Sequence, residues 1–163
     1  MEHDKSHRGN ASQFFVAGEL CRRGYAAVVT LGNTPNTDVL CSNRSGTKFV
    51  HIQVKTFVPG TKTCSVGLKA ERRFGPTFFW VLAGIPAPMS TLPFEYFIIP
   101  CEDMATNVST YHHNWLCTPG KNDRAHRENK VRVVAVTSGA ASYFWPIEQY
   151  RNQWSLIERV LDD

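Results

Sequence analysis

Between Phe49 and Lys55 the side chains alternate: Val50, Ile52 and Val54 fall on one side, and Phe49, His51, Gln53 and Lys55 on the other. A period of two over seven residues defines a half-buried strand and sets Gln53 and Lys55 on the same face. Upstream, Asp38 opens a shorter apolar run, Val39-Leu40-Cys41, and Ser42-Asn43-Arg44-Ser45-Gly46 carries the turn chemistry for an antiparallel return. A hairpin of this kind brings Asp38 beside Gln53 and Lys55.

An acid, an amide and an ammonium in one place suit metal-assisted hydrolysis of a phosphodiester. The carboxylate of Asp38 and the side-chain carbonyl of Gln53 offer hard oxygens to Mg²⁺, with Mn²⁺ as a substitute. The cation polarises the phosphate and acidifies a bound water, while an ammonium such as that of Lys55 orients the water and offsets charge developing on phosphorus.

At these residues the chain resembles the PD-(D/E)xK nuclease superfamily, in which an Asp at a strand start is followed by Glu-x-Lys on the next strand. Here the pattern reads Asp38, then Gln53-Val54-Lys55. The stretch from Ala11 through Gly24 to Tyr25 is similar to the superfamily's opening helix, its terminating glycine and the entry to its first strand. The stretch Asn33-Thr34-Pro35-Asn36-Thr37 is similar to the loop before the catalytic Asp. Residues 10–57 carry the match, roughly a third of the chain.

The resemblance implies an α/β, restriction-endonuclease-like mixed β-sheet flanked by helices. It also implies a metal-dependent nuclease acting on nucleic acid, DNA in the first instance, with Asp38, Gln53, Lys55 and Gln13 at the site and Asp38 and Gln53 on the metal. The triplet glutamate is Gln53 here, a substitution found in some superfamily members, and the family's opening-helix glutamate aligns with Gln13. With both positions neutral, weak metal affinity is expected, because hard-cation affinity follows ligand charge. The alternative is a nuclease-derived module that binds nucleic acid or protein without catalysis. Glu19 lies about 240° around an ideal helix from Gln13, so it is expected to pair with Arg22 or Arg23 on the surface rather than join the site.

Length and charge are compatible with this reading. A chain of 163 residues suits one domain over residues 1–163 that buries roughly two thirds of its unfolded surface. Lys and Arg number 18 against 14 Asp and Glu, and Arg22, Arg23, Lys48, Lys62, Lys69, Arg72 and Arg73 cluster in sequence around the trio, as a polyanionic partner requires. The five cysteines form no C-x-x-C pair and read as reduced thiols. No apolar signal core opens the chain and no stretch is long enough to span a bilayer, so a cytoplasmic location without membrane contact is expected.

Downstream, Leu68 to Phe74 forms a basic segment beside the expected groove, and Phe78–Gly84 and Phe94–Ile99 read as strands, the first internal to a sheet. Glu102 and Asp103 open a helix running to Trp115. His112 and His113 diverge by about 100° on a helix, which argues against a zinc site with His126 and leaves them for a phosphate or a helix end. Residues 118–130 form a polar loop carrying Lys121, Arg124, Arg127 and Lys130, and Val131–Val136 reads as a strand. From Pro146 an amphipathic helix is expected, with Ile147, Tyr150, Trp154, Ile157 and Leu161 as a stripe that docks on the domain or joins two copies in a homo-oligomer.

Overall fold

A computed structural model describes residues 5–32, 34–137 and 145–162; Asn33, in the loop before Asp38, and residues 1–4 of the polar N-terminal stretch lie outside them. The opening helix, α1 (Lys5–Arg22), begins upstream of the matched segment and buries Ser12, Val16 and Leu20, spaced four apart on one face. It stops where Gly24 takes φ 96°. Gly24 N–H donates to Cys21 O at 2.9 Å and Tyr25 N–H to Leu20 O at 3.2 Å, the paired bonds of a Schellman cap.

Three strands follow: β1 (Ala26–Val29), β2 (Val39–Ser42) and β3 (Phe49–Phe57), each antiparallel to the one before. The β2–β3 turn is held by Asn43 Oδ1, which accepts from the backbone of Thr47 at 2.9 Å and Lys48 at 3.2 Å. A crossover holding β4 (Thr63–Ser65) and a 3₁₀ turn (Leu68–Glu71) leads to β5 (Phe78–Gly84), which runs parallel to β3, and β6 (Glu95–Pro100) returns antiparallel to β5. The sheet order is β1-β2-β3-β5-β6, a mixed five-stranded sheet.

Two apolar layers sandwich this sheet. Val50, Ile52 and Val54 of β3 and Phe79, Val81 and Ala83 of β5 pack with Val16, Ala17 and Leu20 of α1. Trp80 and Leu82 of β5 and Phe97 and Ile99 of β6 point the other way, onto Met104 and Val108 of α2 (Cys101–Cys117). With a helix on each side, every residue of β5 is buried, which explains its unbroken apolar run. The ring of Phe57 lies against Gly84, where a Cβ would approach it to 2.7 Å, so the β3–β5 register needs glycine there.

The Val131–Val136 segment forms a strand as expected, β7 (Val133–Ala135), and it pairs with β4 in a separate two-stranded sheet. One expectation needs correction: the C-terminal segment is not one helix. It is a 3₁₀ turn (Ile147–Tyr150), a bend and a helix, α3 (Ser155–Asp162). Ile147 and Tyr150 belong to the α2 side of the sheet, whereas Trp154, Ile157 and Leu161 belong to the α1 side. A straight helix cannot serve both faces, so the chain bends around the edge strand: Arg151 forms a bridge with Phe97, and Asn152, at φ 53°, donates its N–H to Tyr96 O at 2.8 Å. The whole stripe is buried in the chain's own core, which leaves none of it for a second copy. The wrap also covers the open edge of β6.

All five cysteines are free; Cys41, Cys64 and Cys101 are buried, and Cys21 and Cys117 are exposed. Burial pushes the Cys41 and Cys64 thiols up to about 12. Titration of the native protein with a thiol-disulfide reagent near pH 8 is therefore expected to count two fast thiols, and five after denaturation; three or more fast native thiols would contradict this packing. Because the folded protein favours these neutral thiols, their contribution to stability is full below the ordinary thiol value of 9.0 and is lost as pH rises towards about 12.

Candidate active site

The β2–β3 hairpin assembles the three residues nearest the sequence motif. Val39 pairs with Ile52, and Asp38, one residue earlier, brings its side chain beside Gln53. Because β2 begins only at Val39, the Val54 N–H meets no β2 carbonyl, and Asp38 Oδ2 accepts it instead at 2.8 Å. The same oxygen accepts a hydrogen bond from Gln53 Nε2. Asp38 N–H donates to Ile52 O at 2.9 Å, which holds the acid at the strand entry.

Gln53 and Lys55 register with Trp80 and Leu82, so they lie on the side of the sheet that faces α2. That helix packs over β5, β6 and the 3₁₀ turn, and Gln53 and Lys55 are only half-buried where β2 and β3 extend beyond it. The result is a polar strip beside an apolar layer.

Electrostatics tie Lys55 to the acid. Burial raises the Asp38 carboxyl above its ordinary value, while the Val54 N–H, the Lys55 charge, the Gln53 donor and the Lys69 charge pull it down. Two ammonium groups thus bear on one carboxylate, Lys55 from β3 and Lys69 from the 3₁₀ turn. Lys55 forms no ion pair with a described acid.

The 3₁₀ turn carrying Lys69 is clamped from behind by Arg132, only 5 % exposed, which donates from Nε to Glu71 and from Nη1 to Asn129 O at 2.7 Å and Val131 O at 2.9 Å. Val66 N–H returns to Arg132 O at 2.9 Å. Residue types and periodicity did not single out this clamp. Its only trace in the sequence is an arginine inside an apolar strand pattern, Val131-Arg132-Val133-Val134.

Gln13 is half-buried on α1, and no hydrogen bond joins it to Asp38, Gln53 or Lys55. Its neighbour Ser12 meets Thr56 Oγ1 at 2.7 Å, which sets this turn of α1 at the level of the Lys55 end of β3. A cleft of about 370 Å³ opens at the same end, lined by Arg8, Thr56, Val58, Thr61, Thr63 and Ser65 among others. Glu19 behaves as expected of a surface acid: both oxygens accept from Arg22 and one also from Arg23, each at 2.8 Å. Their donation lowers its carboxyl below its ordinary value.

His112 and His113 go elsewhere. His112 is buried, pairs through Nε2 with Glu128 at 2.9 Å, and stacks in a row with Trp115 and His126. His113 Nε2 lies 3.7 Å from Cys117 Sγ at the last residue of α2. The 118–130 loop is thereby folded back on the helix.

No family model matches the chain. No curated protein matches it. Its fold is similar to that of a bacterial homing endonuclease, I-Ssp6803I, with a TM-score of 0.56 over 96% of this chain and 93% of that one, at 14% sequence identity. The likeness covers nearly the full length of both chains, so the α/β architecture of a five-stranded mixed sheet between helices is that of a nuclease-like fold.

Proposed function

We propose that the chain is a metal-dependent endonuclease of the PD-(D/E)xK type, with Gln53 in the triplet, that hydrolyses phosphodiester bonds in DNA. The observation that carries this reading is the convergence of Asp38 and Gln53, joined by a side-chain hydrogen bond at the open end of the β2–β3 hairpin, with Lys55 on the same strip as Gln53. The fold it shares with an endonuclease supports it.

The donor set fits a small hard cation. Asp38 spends Oδ2 on Val54 and Gln53, while Oδ1 has no partner among the described residues; Gln53 donates through Nε2, which leaves its carbonyl oxygen for a cation. One carboxylate and one amide oxygen match the sparse protein coordination typical of Mg²⁺ in phosphate-handling sites, where substrate oxygens and waters complete the shell. When bound, the cation supplies Lewis-acid polarisation of the phosphate and an acidified water. Lys55 orients the attacking water and offsets charge on the phosphoryl oxygens. Arg8, which lines the cleft at the Thr56 end of β3, and Lys69, whose charge reaches Asp38, attract the backbone before reaction.

A second reading is a nuclease-derived module that binds nucleic acid without cutting it. One observation favours it: Asp38 is the sole acid among Asp38, Gln53, Lys55 and Gln13. The two differ in a direct assay. Incubation of plasmid and linear duplex DNA with Mg²⁺ or Mn²⁺ is expected to give cleavage that EDTA abolishes. DNA that stays intact with either metal, yet binds in a salt-sensitive way, selects the binding module. Because a single carboxylate holds the cation, calorimetric titration with Mg²⁺ is expected to register binding only when DNA is present. Tight binding to the free protein would require ligands beyond Asp38 and Gln53.

No helix among the described residues is long and apolar enough to cross a membrane. Two copies acting side by side would cut both strands of a duplex in one encounter, so self-association on DNA belongs to the proposal and is read by sedimentation with and without a short duplex.

A further inference from the structure

The strip that carries Gln53 and Lys55 also carries His51, two residues earlier on β3 and on the same face. His51 is exposed, yet its ring is anchored: Nδ1 lies 3.1 Å from Thr37 Oγ1. Thr37 is 6 % exposed and immediately precedes Asp38, and its carbonyl accepts from Thr30 Oγ1. One short segment thus positions both the acid and the imidazole.

Thr37 has a single hydroxyl proton. Its other acceptor, Pro35 O, is more distant at 3.4 Å, so donation to His51 Nδ1 is the better-formed bond. That arrangement puts the ring proton on Nε2, on the edge of the ring away from Thr37. An N–H donor then stands about 7 Å along the strand from Gln53, a spacing of the same order as that between successive phosphates of one nucleic-acid strand.

Resting on the nuclease reading above, we propose that His51 Nε2 donates to the phosphate next to the scissile one and sets the register of the DNA backbone over Asp38, Gln53 and Lys55. This makes His51 a substrate-positioning residue, and Thr37 the residue that aims it.

The test compares the wild-type protein with His51→Ala and His51→Gln, the second of which keeps an N–H donor. Duplex binding in EDTA is expected to weaken about tenfold in His51→Ala, with KM rising to match, kcat falling less than about threefold, and most of the loss recovered in His51→Gln. On a duplex with a mapped cut, a methylphosphonate at the adjacent phosphate should weaken the wild type by a similar factor and add little to His51→Ala. Wild-type binding by His51→Ala, or a penalty that glutamine does not recover, overturns the contact. If the wild type binds DNA but never cuts it, hydrolysis fails as a reading and the EDTA binding series still decides on His51. A wild type that binds no DNA sinks both.

Discussion

Lys55→Ala is expected to reduce DNA cleavage by about 10²- to 10³-fold while leaving DNA binding within a few-fold of wild type. The reason lies in where the ammonium sits. Lys55 is half-buried on the strip beside Asp38, its charge favours the ionised carboxylate, and no described acid neutralises it. An ammonium held this way acts on charge that develops in the transition state, so its loss falls on kcat more than on ground-state binding. The fold has little to lose by comparison. The side chain makes no hydrogen bond among the described residues, and the apolar work of β3 is done on the opposite face by Val50, Ile52 and Val54. A thermal melt close to wild type together with the kinetic loss supports the role; a kcat within about threefold of wild type removes Lys55 from the chemistry and with it the assignment of the Asp38–Gln53–Lys55 strip as the site of cleavage.

Trp154→Ala is expected to cost about 3–5 kcal/mol of folding stability, the range for deleting a large buried ring. In a chain of this size that lowers the melting temperature by about 10 °C. Trp154 is 2 % exposed, its ring centroid lies 5.4 Å from that of Tyr96, and the Arg23 guanidinium sits 5.5 Å over it. It follows immediately on the bend that crosses β6, and its carbonyl accepts from Ile157 N–H at 2.9 Å to start α3. The ring therefore locks the point where the C-terminal segment changes face. A loss below about 1 kcal/mol in a urea titration would mean that this segment is peripheral to the core.

Local patterning carried the first half of the chain. The α1 cap at Gly24 needs only a residue at ease with positive φ, and Asn43 to Gly46 holds the side-chain and backbone features of the turn, so both could be read from neighbouring residues. The same is true of β5, whose unbroken apolar run predicted cover on both faces, and of Glu19, whose arginine partners lie three and four residues away. The pairing of Asp38 with Gln53 was also legible, because a tight hairpin fixes its own register.

Where the reading went astray or was silent, the deciding contacts were distant in sequence. The spacing of Ile147, Tyr150, Trp154, Ile157 and Leu161 is helical throughout, yet the segment bends because the two ends of the stripe answer to opposite faces of the sheet. The Arg132 clamp on Glu71 spans 61 positions, and the union of β7 with β4 likewise joins parts far apart in the chain.

By itself, the sequence determined the hairpin, its acid, amide and lysine, and the helix before them, since short-range geometry and the alternation of side chains specify those features. Only the tertiary structure decided that the C-terminal stripe wraps an edge strand, that Arg132 holds the turn carrying Lys69, and that Thr37 pins His51 beside the site. Each of these depends on which surfaces are brought together when the sheet is buried on both sides, and no periodicity along the chain encodes that.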